Sequence, residues 1–263
     1  MKNVGFIGAG NMGSALMAQM KELSQLRVYD ILPQACEKAE QSCNAIVEED
    51  IPSLVKHCDL VFLAVKPQFL MEVLPTVIEH WEEGKILCSI VAGKSIEYYE
   101  TAFLCKTKAL KVARIMPNTP ALVGEAMNTL CFSKAMDKGD QQVVTDLLLT
   151  TGKVKELRES QMDAAMGIAG CSPAYVYMFI EALADAGVYG GIFRKDAIMM
   201  AAQTVLGAAK MVLETGEHPE KLKDDVCSPA GTTIKGVMAL EEGGFRASIE
   251  KAVKASMSKD ERN

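Results

Sequence analysis

The chain has 263 residues, of which 49% are hydrophobic, 24% are charged and 6% are aromatic. This composition excludes a disordered chain, a collagen and a small disulfide-rich scaffold, because it supplies enough apolar side chain for a large core. The length predicts two domains, and the formal net charge of −6 argues against a surface that neutralises nucleic-acid phosphates. A local pocket for one anionic ligand is compatible with this charge.

The cysteine and histidine content predicts no structural metal. The spacings of the eight cysteines do not match those of a zinc site, and the chain has only three histidines. We predict reduced, buried thiols that act as small hydrophobic side chains. The N-terminus has no signal-peptide pattern, and no charge-free run of about 18 apolar residues occurs. We therefore expect a cytoplasmic protein that neither spans a membrane nor binds nucleic acid.

In the first half of the chain, short apolar runs alternate with longer amphipathic ones. This alternation is typical of an α/β domain in which parallel strands are connected by helices. The short runs are apolar throughout, as expected for strands that are covered on both faces. The predicted strands are residues 4–7, 26–29, 45–47, 60–64, 86–90, 111–115 and 127–132. We predict that this domain covers residues 1–155.

A glycine-rich loop follows the first predicted strand directly and precedes a helical pattern. It matches G-x-G-x-x-G and consists of Gly8, Ala9, Gly10, Asn11, Met12 and Gly13. The first glycine permits a tight turn, the second lets the backbone approach a pyrophosphate, and the third allows close packing of the helix. Unpaired N–H groups at the helix start would bind the pyrophosphate. The pattern predicts a Rossmann-type dinucleotide site, and the alternative is a tight turn without a ligand.

An acidic residue ends the second predicted strand. Asp30 lies 22 residues after Gly8, where a carboxylate can accept hydrogen bonds from the hydroxyls of the adenosine ribose. A 2′-phosphate at this position would meet like charge, and the following Ile31 and Leu32 supply no Arg to compensate. Among NAD(P)H cofactors the sequence therefore favours NADH, while NADPH stays compatible.

Further cofactor contacts are expected at the carboxyl ends of later strands, because ligands of open parallel sheets bind there. The residues at the ends of the fourth, fifth and sixth strands are Ala64, Val65, Lys66, Pro67, Ala92, Gly93 and Asn118. Two alternatives stay open. Lys66 is either a phosphate or ribose contact or a solvated side chain. The loop with Asn118, which Pro117 and Pro120 stiffen, either faces the nicotinamide or is a rigid connector.

The second half of the chain is predicted to be all-α. After about residue 155 the helical segments are residues 161–168, 173–187, 195–214 and 232–242. Several of them are apolar nearly all the way round and must be buried on every side. A domain of residues 156–263 is too short to cover them, so we expect a partner subunit to do so. We therefore predict an intimate homodimer or a higher homo-oligomer.

A helix start that is rich in hydrogen-bond donors precedes the last of these segments. Ser228 is predicted to be the N-cap and Pro229 the first helical residue. The N–H groups of Gly231, Thr232 and Thr233, with the hydroxyls of Ser228 and Thr233, can enclose a small carboxylate without an Arg. Plain capping of the helix is the alternative.

Two acids lie one turn apart on an apolar helix, at Glu181 and Asp185. They form either a buried acid pair or, as we favour, bonds to a cation or helix N-terminus nearby. The three histidines, His57, His80 and His218, lie in polar, loop-like or helix-edge contexts, which do not indicate a catalytic base.

Together these segments resemble the pyrroline-5-carboxylate reductases, the last enzymes of proline biosynthesis, over essentially the full length of the chain. The resemblance rests on the glycine loop, on the strand ends named above, on residues 172–185 and most specifically on residues 228–242. It implies an N-terminal Rossmann domain and a helical C-terminal dimerisation domain that interlocks with a second subunit. The active site is then expected at the dimer interface.

The resemblance also implies a reaction and a set of site residues. The cyclic imine 1-pyrroline-5-carboxylate would be reduced to L-proline when the nicotinamide C4 delivers a hydride to the C=N carbon. The ring nitrogen gains a proton or already has one. Thr233 is then the catalytic residue that hydrogen-bonds the ring nitrogen. The implied substrate contacts are Glu159, Ser228, Gly231, Thr232 and Thr233, and Asp225 joins the cofactor contacts.

Three residues depart from the pattern of this family. Ala230 replaces a usual Gly, which narrows the backbone freedom of the carboxylate loop. Ile51 stands where many members have an Asn near the adenosine, which puts that contact in doubt. Cys171 replaces a small residue, usually Ser, and has no consequence that the sequence predicts.

Two other functions remain as alternatives. The first alternative is a related imine reductase or one of the β-hydroxyacid dehydrogenases, which share a similar glycine loop and a helical second domain. They use a Lys at a Gly-rich helix start, and residues 167–175 contain no Lys. A non-catalytic nucleotide-sensing scaffold is the alternative from another class, and the intact residues 231–233 argue against it.

Overall fold

The computed structural model describes residues 2–257 and divides the chain into two compact units, Met1–Gly170 and Cys171–Asn263. The predicted domain boundary lies earlier, after residue 155. Residues 156–170 belong to the first unit by their contacts, because Met162 is fully buried in that unit's core.

The described part of the first unit contains one sheet of eight strands. Its strands are β1 (Lys2–Ile7), β2 (Ser24–Tyr29), β3 (Ile46–Val47), β4 (Leu60–Leu63), β5 (Ile86–Ser89), β6 (Lys111–Met116), β7 (Ala126–Phe132) and β8 (Gly152–Glu156). They lie in the order β3-β2-β1-β4-β5-β6-β7-β8. Strands β1 to β6 are parallel to one another, β7 is antiparallel to β6, and β8 is parallel to β7. The seven predicted strands are confirmed.

Two features of the sheet differ from the prediction. Strand β7 runs antiparallel because a short connection with one 3₁₀ helix, Thr119–Val123, joins it to β6, whereas parallel strands need a longer crossover. Strand β8 was missed because its sequence alternates small, apolar and charged residues rather than forming an apolar run. It lies at the edge of the sheet with one neighbouring strand, where such a pattern is tolerated.

Helices cover both faces of this sheet. They are α1 (Asn11–Met20), α2 (Pro33–Cys43), α3 (Ile51–His57), α4 (Leu70–Glu79), α5 (Ile96–Ala102), α6 (Lys138–Leu149) and α7 (Met162–Ala165). Buried side chains of α1, α2 and α6 form the core on one face, and those of α3, α4 and α5 form the core on the other. The apolar strands between them are therefore buried on both sides, as predicted.

The strand order places a crevice next to β1. The chain moves from β1 through β2 to β3 on one side and then returns to form β4 on the other side. Connections leave in opposite directions at such a point, and the carboxyl ends of the strands then form a ligand-binding crevice. The glycine loop follows β1 directly, so the topology brings it to this crevice.

The described part of the second unit is helical. Its α-helices are α8 (Ser172–Tyr189), α9 (Arg194–Thr215), α10 (Pro219–Val226), α11 (Thr232–Glu242) and α12 (Phe245–Met257). The sequence predicted α8, α9 and α11 but missed α10 and α12, which are more polar and lack an apolar pattern on every side. The predicted helix over residues 161–168 is divided into α7 and a π-helix, Met166–Cys171.

The second unit buries few side chains of its own. Its core consists of Ala184, Ala197 and Ala201, where α8 packs on α9. Large apolar side chains of the same helices stay exposed in the single chain, including Tyr189 at 96% and Met178 at 68%. Two described segments, Glu159–Tyr189 and Arg194–Thr215, are long and apolar enough to cross a membrane by length and composition alone. These apolar faces need a cover that the single chain does not supply.

The predicted burial of the thiols holds for five of the eight cysteines. All eight are free; Cys36, Cys43, Cys58, Cys88 and Cys131 are buried, whereas Cys171 and Cys227 are partly exposed and Cys105 is exposed. Burial raises the pKa of Cys58 to about 12, so this thiol stays neutral. Asp185 pairs with Arg194 at 2.5 Å, which confirms a cation partner for one of the two acids.

Candidate functional site

A cleft of about 620 Å³ lies at the carboxyl ends of β1, β2 and β4. Its size is that of a site for a small molecule or cofactor. The predicted cofactor residues that line it are Gly8, Gly10, Asp30, Ala64, Val65 and Lys66. Ile51, one of the departures from the family pattern, also lines the cleft and is half-buried. The structure thus brings the glycine loop and the acid of β2 to one site.

The three motif glycines meet different surroundings. Gly8 has a φ of +105°, and a Cβ there would lie 2.7 Å from the carbonyl oxygen of Ala64. A Cβ at Gly13 would lie 2.4 Å from the carbonyl oxygen of Gly8. Gly10 is different, because a Cβ there would have no heavy atom within 4 Å. The first and third glycines therefore permit packing, whereas the second leaves open space at the cleft.

The start of α1 fits the diphosphate of a dinucleotide. Gly10 is the N-cap, and among the described residues no side chain caps this helix. The first N–H groups of an α-helix have no partner within the helix and carry partial positive charge. Because Gly10 lines the cleft, these groups are available to an anion there.

Asp30 connects the glycine loop to the end of β2. Its Oδ2 accepts a hydrogen bond from the Ala9 N–H at 2.7 Å, and its Oδ1 accepts one from the Leu32 N–H at 2.9 Å. The Asp30 N–H donates to the Sγ of Cys36, and burial raises the pKa of that thiol. A carboxylate has about four acceptor positions, so Asp30 can still accept bonds from ribose hydroxyls.

The cleft does not include every predicted cofactor residue. Lys66 is exposed at its edge, and Pro67 begins the 3₁₀ helix Pro67–Phe69 beyond it. Ala92 and Gly93 form a turn after β5 and are not part of its lining.

The side chain of Asn118 is engaged by the backbone. Its amide nitrogen donates to the carbonyl oxygen of Ala169 at 3.0 Å, and its Oδ1 accepts from the N–H of Met127 at 3.0 Å. Asn118 is buried, so these bonds connect the loop after β6 to β7 and to the π-helix. The geometry favours the rigid connector among the two alternatives for this loop.

Glu159 is held by a residue that sequence reasoning missed. Its Oε1 accepts hydrogen bonds from Nη1 of Arg114 at 3.0 Å and from the N–H of Ile96 at 2.7 Å. Arg114 lies on β6 and is only 8% exposed. An Arg flanked by apolar residues within a predicted strand was the available signal, because buried charges are paired.

The donor-rich segment of the second unit differs from the prediction in two respects. Ser228 is not the N-cap of α11 and Pro229 is not its first residue, because the Gly231 N–H donates to the Ser228 carbonyl oxygen at 3.0 Å and closes a turn. Gly231 is the N-cap, and α11 begins at Thr232. Ala230 in this turn has a φ of +58°, a left-handed conformation that favours glycine.

The described donors at the start of α11 are free of side-chain caps. Thr232 and Thr233 are the first two helical residues, and both are exposed. The hydroxyl of Ser228 lies over Gly231, where a Cβ would be 2.4 Å from its Oγ. Asp225, on α10, accepts hydrogen bonds from Lys221 at 2.5 Å through both carboxylate oxygens.

Comparisons with known proteins extend over both units. Residues 159–263 match the family model "Pyrroline-5-carboxylate reductase dimerisation", and residues 3–93 match the model "NADP oxidoreductase coenzyme F420-dependent". The pyrroline-5-carboxylate reductase of Escherichia coli is 38% identical, over 99% of this chain and 98% of that relative. The pyrroline-5-carboxylate reductase of Methanosarcina acetivorans is 40% identical, over 96% and 94% of the two chains. The crystal structure of Plasmodium falciparum pyrroline carboxylate reductase with NADP bound has a TM-score of 0.86 and 33% identity, over 97% and 95%.

Alanine substitutions at Gly10 and at Gly13 should separate the effect on cofactor binding from the effect on helix packing. Gly13→Ala is expected to lower the thermal midpoint, since overpacking costs about 1–3 kcal/mol. Gly10→Ala is the matched control, because its backbone has a φ of −66° and the new methyl meets open space. It should unfold like the wild type yet bind NADH more weakly. Thermal unfolding and NADH fluorescence titration measure the two effects, and wild-type affinity in Gly10→Ala would contradict the assignment of the cleft.

Glycine at position 230 should relieve backbone strain. Ala230→Gly is expected to raise the thermal midpoint by about 4–8 °C, which corresponds to about 1 kcal/mol for a unit of this size. Asn44→Gly is the control, since Asn44 also has a positive φ of 53° but is a residue type that tolerates it. Differential scanning calorimetry would contradict the strain argument if Ala230→Gly lowered the midpoint or both variants rose equally.

Proposed function

The chain belongs to the pyrroline-5-carboxylate reductase family, and on this premise we propose how its residues reduce 1-pyrroline-5-carboxylate to L-proline. It is an NAD(P)H-dependent oxidoreductase of proline biosynthesis. The observation that supports the roles below is that one chain contains both a glycine-loop cleft and a second, uncapped helix start with hydroxyl donors. Family membership excludes the β-hydroxyacid dehydrogenase alternative.

The first unit is proposed to bind NAD(P)H. When bound, the cofactor supplies the hydride of the reaction. The N–H groups at the start of α1 bind the diphosphate of the cofactor. The residues that follow β4 and contact the cofactor are Ala64, Val65, Lys66 and Pro67. We propose that Ala92 and Gly93 contact it from the turn after β5. Asn118 is assigned a positioning role for its loop, because its amide is bound to backbone groups. The assignment of Asp225 as a cofactor contact rests on the family resemblance alone.

The charge at the cleft supports a preference for NADH. Asp30 and Glu72 are the acids in its lining, and Lys66 is the one cation there among the described residues. A 2′-phosphate near Asp30 would meet like charge, whereas the two ribose hydroxyls of NADH can donate to its carboxylate. Since one relative binds NADP, the preference proposed here is a property of this chain's Asp30.

The start of α11 is proposed to bind the substrate. The N–H groups of Gly231, Thr232 and Thr233 and the hydroxyl of Ser228 bind the carboxylate, because a helix N-terminus favours an anion. The hydroxyl of Thr233 hydrogen-bonds the ring nitrogen. Glu159 is the acidic group assigned to the same substrate, and Arg114 fixes its Oε1.

The reaction requires the protein to orient the substrate and the cofactor more than it requires a strong base. As the imine carbon accepts the hydride and forms a C–H bond, the π bond of C=N breaks and its electron pair moves onto the nitrogen. A nitrogen that is already protonated makes the carbon a ready acceptor, so a fixed geometry provides most of the rate enhancement. The histidines are engaged elsewhere, with His57 bonded to Glu48, His80 to Thr76 and His218 to the start of α10.

We further propose that the protein works as a cytoplasmic homo-oligomer built from dimers. The two long apolar segments lie entirely within residues 159–263, which match a dimerisation domain. A second subunit, rather than lipid, is therefore the proposed cover for Met178, Tyr189 and the other exposed apolar side chains of α8 and α9.

Loss of the Thr233 hydroxyl should slow the reduction itself. Wild-type protein is expected to oxidise NADH, followed by absorbance, when 1-pyrroline-5-carboxylate is added, and to form proline. Thr233→Ala should lower kcat about tenfold or more while the Kd for NADH stays within about threefold. Thr145→Ala is the control, because that hydroxyl donates only to the carbonyl oxygen of Gln141 within α6.

Two outcomes of that assay decide between hypotheses. Oxidation of neither NADH nor NADPH by the wild type would refute the reductase and favour the non-catalytic scaffold. Unchanged kinetics in Thr233→Ala would remove Thr233 from the reaction and leave the family activity intact.

The charge of Asp30 should set the cofactor preference. Asp30→Asn keeps an acceptor for the Ala9 N–H but removes the charge, so the ratio of kcat/KM for NADPH over NADH should rise about tenfold. Glu37→Gln is the control, because it removes an exposed acid of α2 that does not line the cleft. A wild-type preference for NADPH, or an equal change in both variants, would show the electrostatic argument to be wrong.

A further inference from the structure

Arg114 is a buried charge in an otherwise apolar stretch of β6, where Val112, Ala113 and Ile115 are all buried. Its guanidinium lies 3.0 Å from Glu159 and 3.7 Å from Asp163. A buried Arg is costly unless it is paired, so both carboxylates stabilise it.

The partner of Arg114 also fixes a backbone segment. The same Oε1 of Glu159 accepts the N–H of Ile96 at 2.7 Å, and Ile96 is the first residue of α5. The preceding residues 90–95 include Ala92 and Gly93, the proposed cofactor contacts. A rotation of the Glu159 carboxylate would therefore release the start of α5 and loosen this loop.

The residues paired with Arg114 on the two neighbouring strands are uncharged. Arg114 lies opposite Ser89 on β5 and Cys131 on β7. The hydroxyl of Ser89 is hydrogen-bonded to that of Tyr99 at 2.7 Å, and burial raises the pKa of Tyr99 to about 12. Burial raises the pKa of Cys131 to about 11. These neighbours stay neutral at physiological pH, so Glu159 and Asp163 determine where the guanidinium points.

We propose that Arg114 is a positioning residue for the reduction. It holds Glu159 in one orientation, and through Glu159 it holds the loop of residues 90–95 at the cofactor. The planar fork of an Arg can reach two carboxylates at once, whereas the ammonium of a Lys is a single point charge. This inference rests on the proposed function, because it assigns Arg114 to the site that performs the reduction.

A double-mutant cycle tests whether Arg114 acts through Glu159. Arg114→Met and Glu159→Gln are each expected to lower kcat/KM for the imine about tenfold, since misplaced groups cost rate even when they stay present. The double variant should also lose about tenfold, because two residues that act through one contact are not additive. Arg114→Lys should recover part of the loss, as it keeps the charge.

Lys111→Met is the matched control for the loss of a cation from β6. Lys111 pairs with Asp140 of α6 at 2.7 Å, on the opposite face of the sheet. It should lose thermal stability but keep wild-type kcat/KM. All variants are assayed at a temperature where circular dichroism shows them folded. If Arg114→Met does not fold, Arg114→Lys takes its place in the cycle.

The outcomes separate this inference from the proposed function. Wild-type kcat/KM in a folded Arg114 variant, or losses that multiply to about a hundredfold in the double variant, would overturn the positioning role. A wild-type protein that does not reduce the imine would instead refute the proposed function, and the cycle would then have no activity to measure.

Discussion

The close approach of the glycine loop to the end of β4 is the constraint on which the cofactor site depends. A Cβ at Gly8 would meet the carbonyl of Ala64 at 2.7 Å, and a Cβ at Gly13 would meet the carbonyl of Gly8 at 2.4 Å. Because both glycines lack a side chain, α1 can begin close to the sheet, and its uncapped N–H groups lie at the cleft. Asp30 completes the arrangement by accepting the N–H of Ala9.

The second unit depends on a different constraint, which is the small size of its core. Three alanines, Ala184, Ala197 and Ala201, are the buried residues where α8 packs on α9. Small side chains allow two long helices to pack closely, but they leave the large apolar side chains on the outside. The match of residues 159–263 to a dimerisation domain accounts for this composition. The turn that presents the start of α11, where we propose that the substrate carboxylate binds, belongs to the same unit.

Local patterns predicted the local structure, and long-range contacts explain the remainder. The apolar runs predicted seven strands, and the apolar pattern of residues 232–242 predicted the body of α11. The N-cap was misplaced at Ser228, because Pro at a helix start and Pro in a turn have the same sequence signal. Arg114 was missed because its partner Glu159 lies 45 residues away along the chain. Asn118 was placed near the cofactor by its motif, whereas its backbone partners decide where its amide points.

A crystal structure of the protein with NADH is the most direct test of the account. The diphosphate is predicted to accept hydrogen bonds from the N–H groups of Asn11 and Met12 at the start of α1. The adenosine ribose hydroxyls are predicted to donate to the carboxylate of Asp30. A diphosphate bound away from the start of α1, or an adenosine ribose that does not contact Asp30, would contradict the assignment of the cleft.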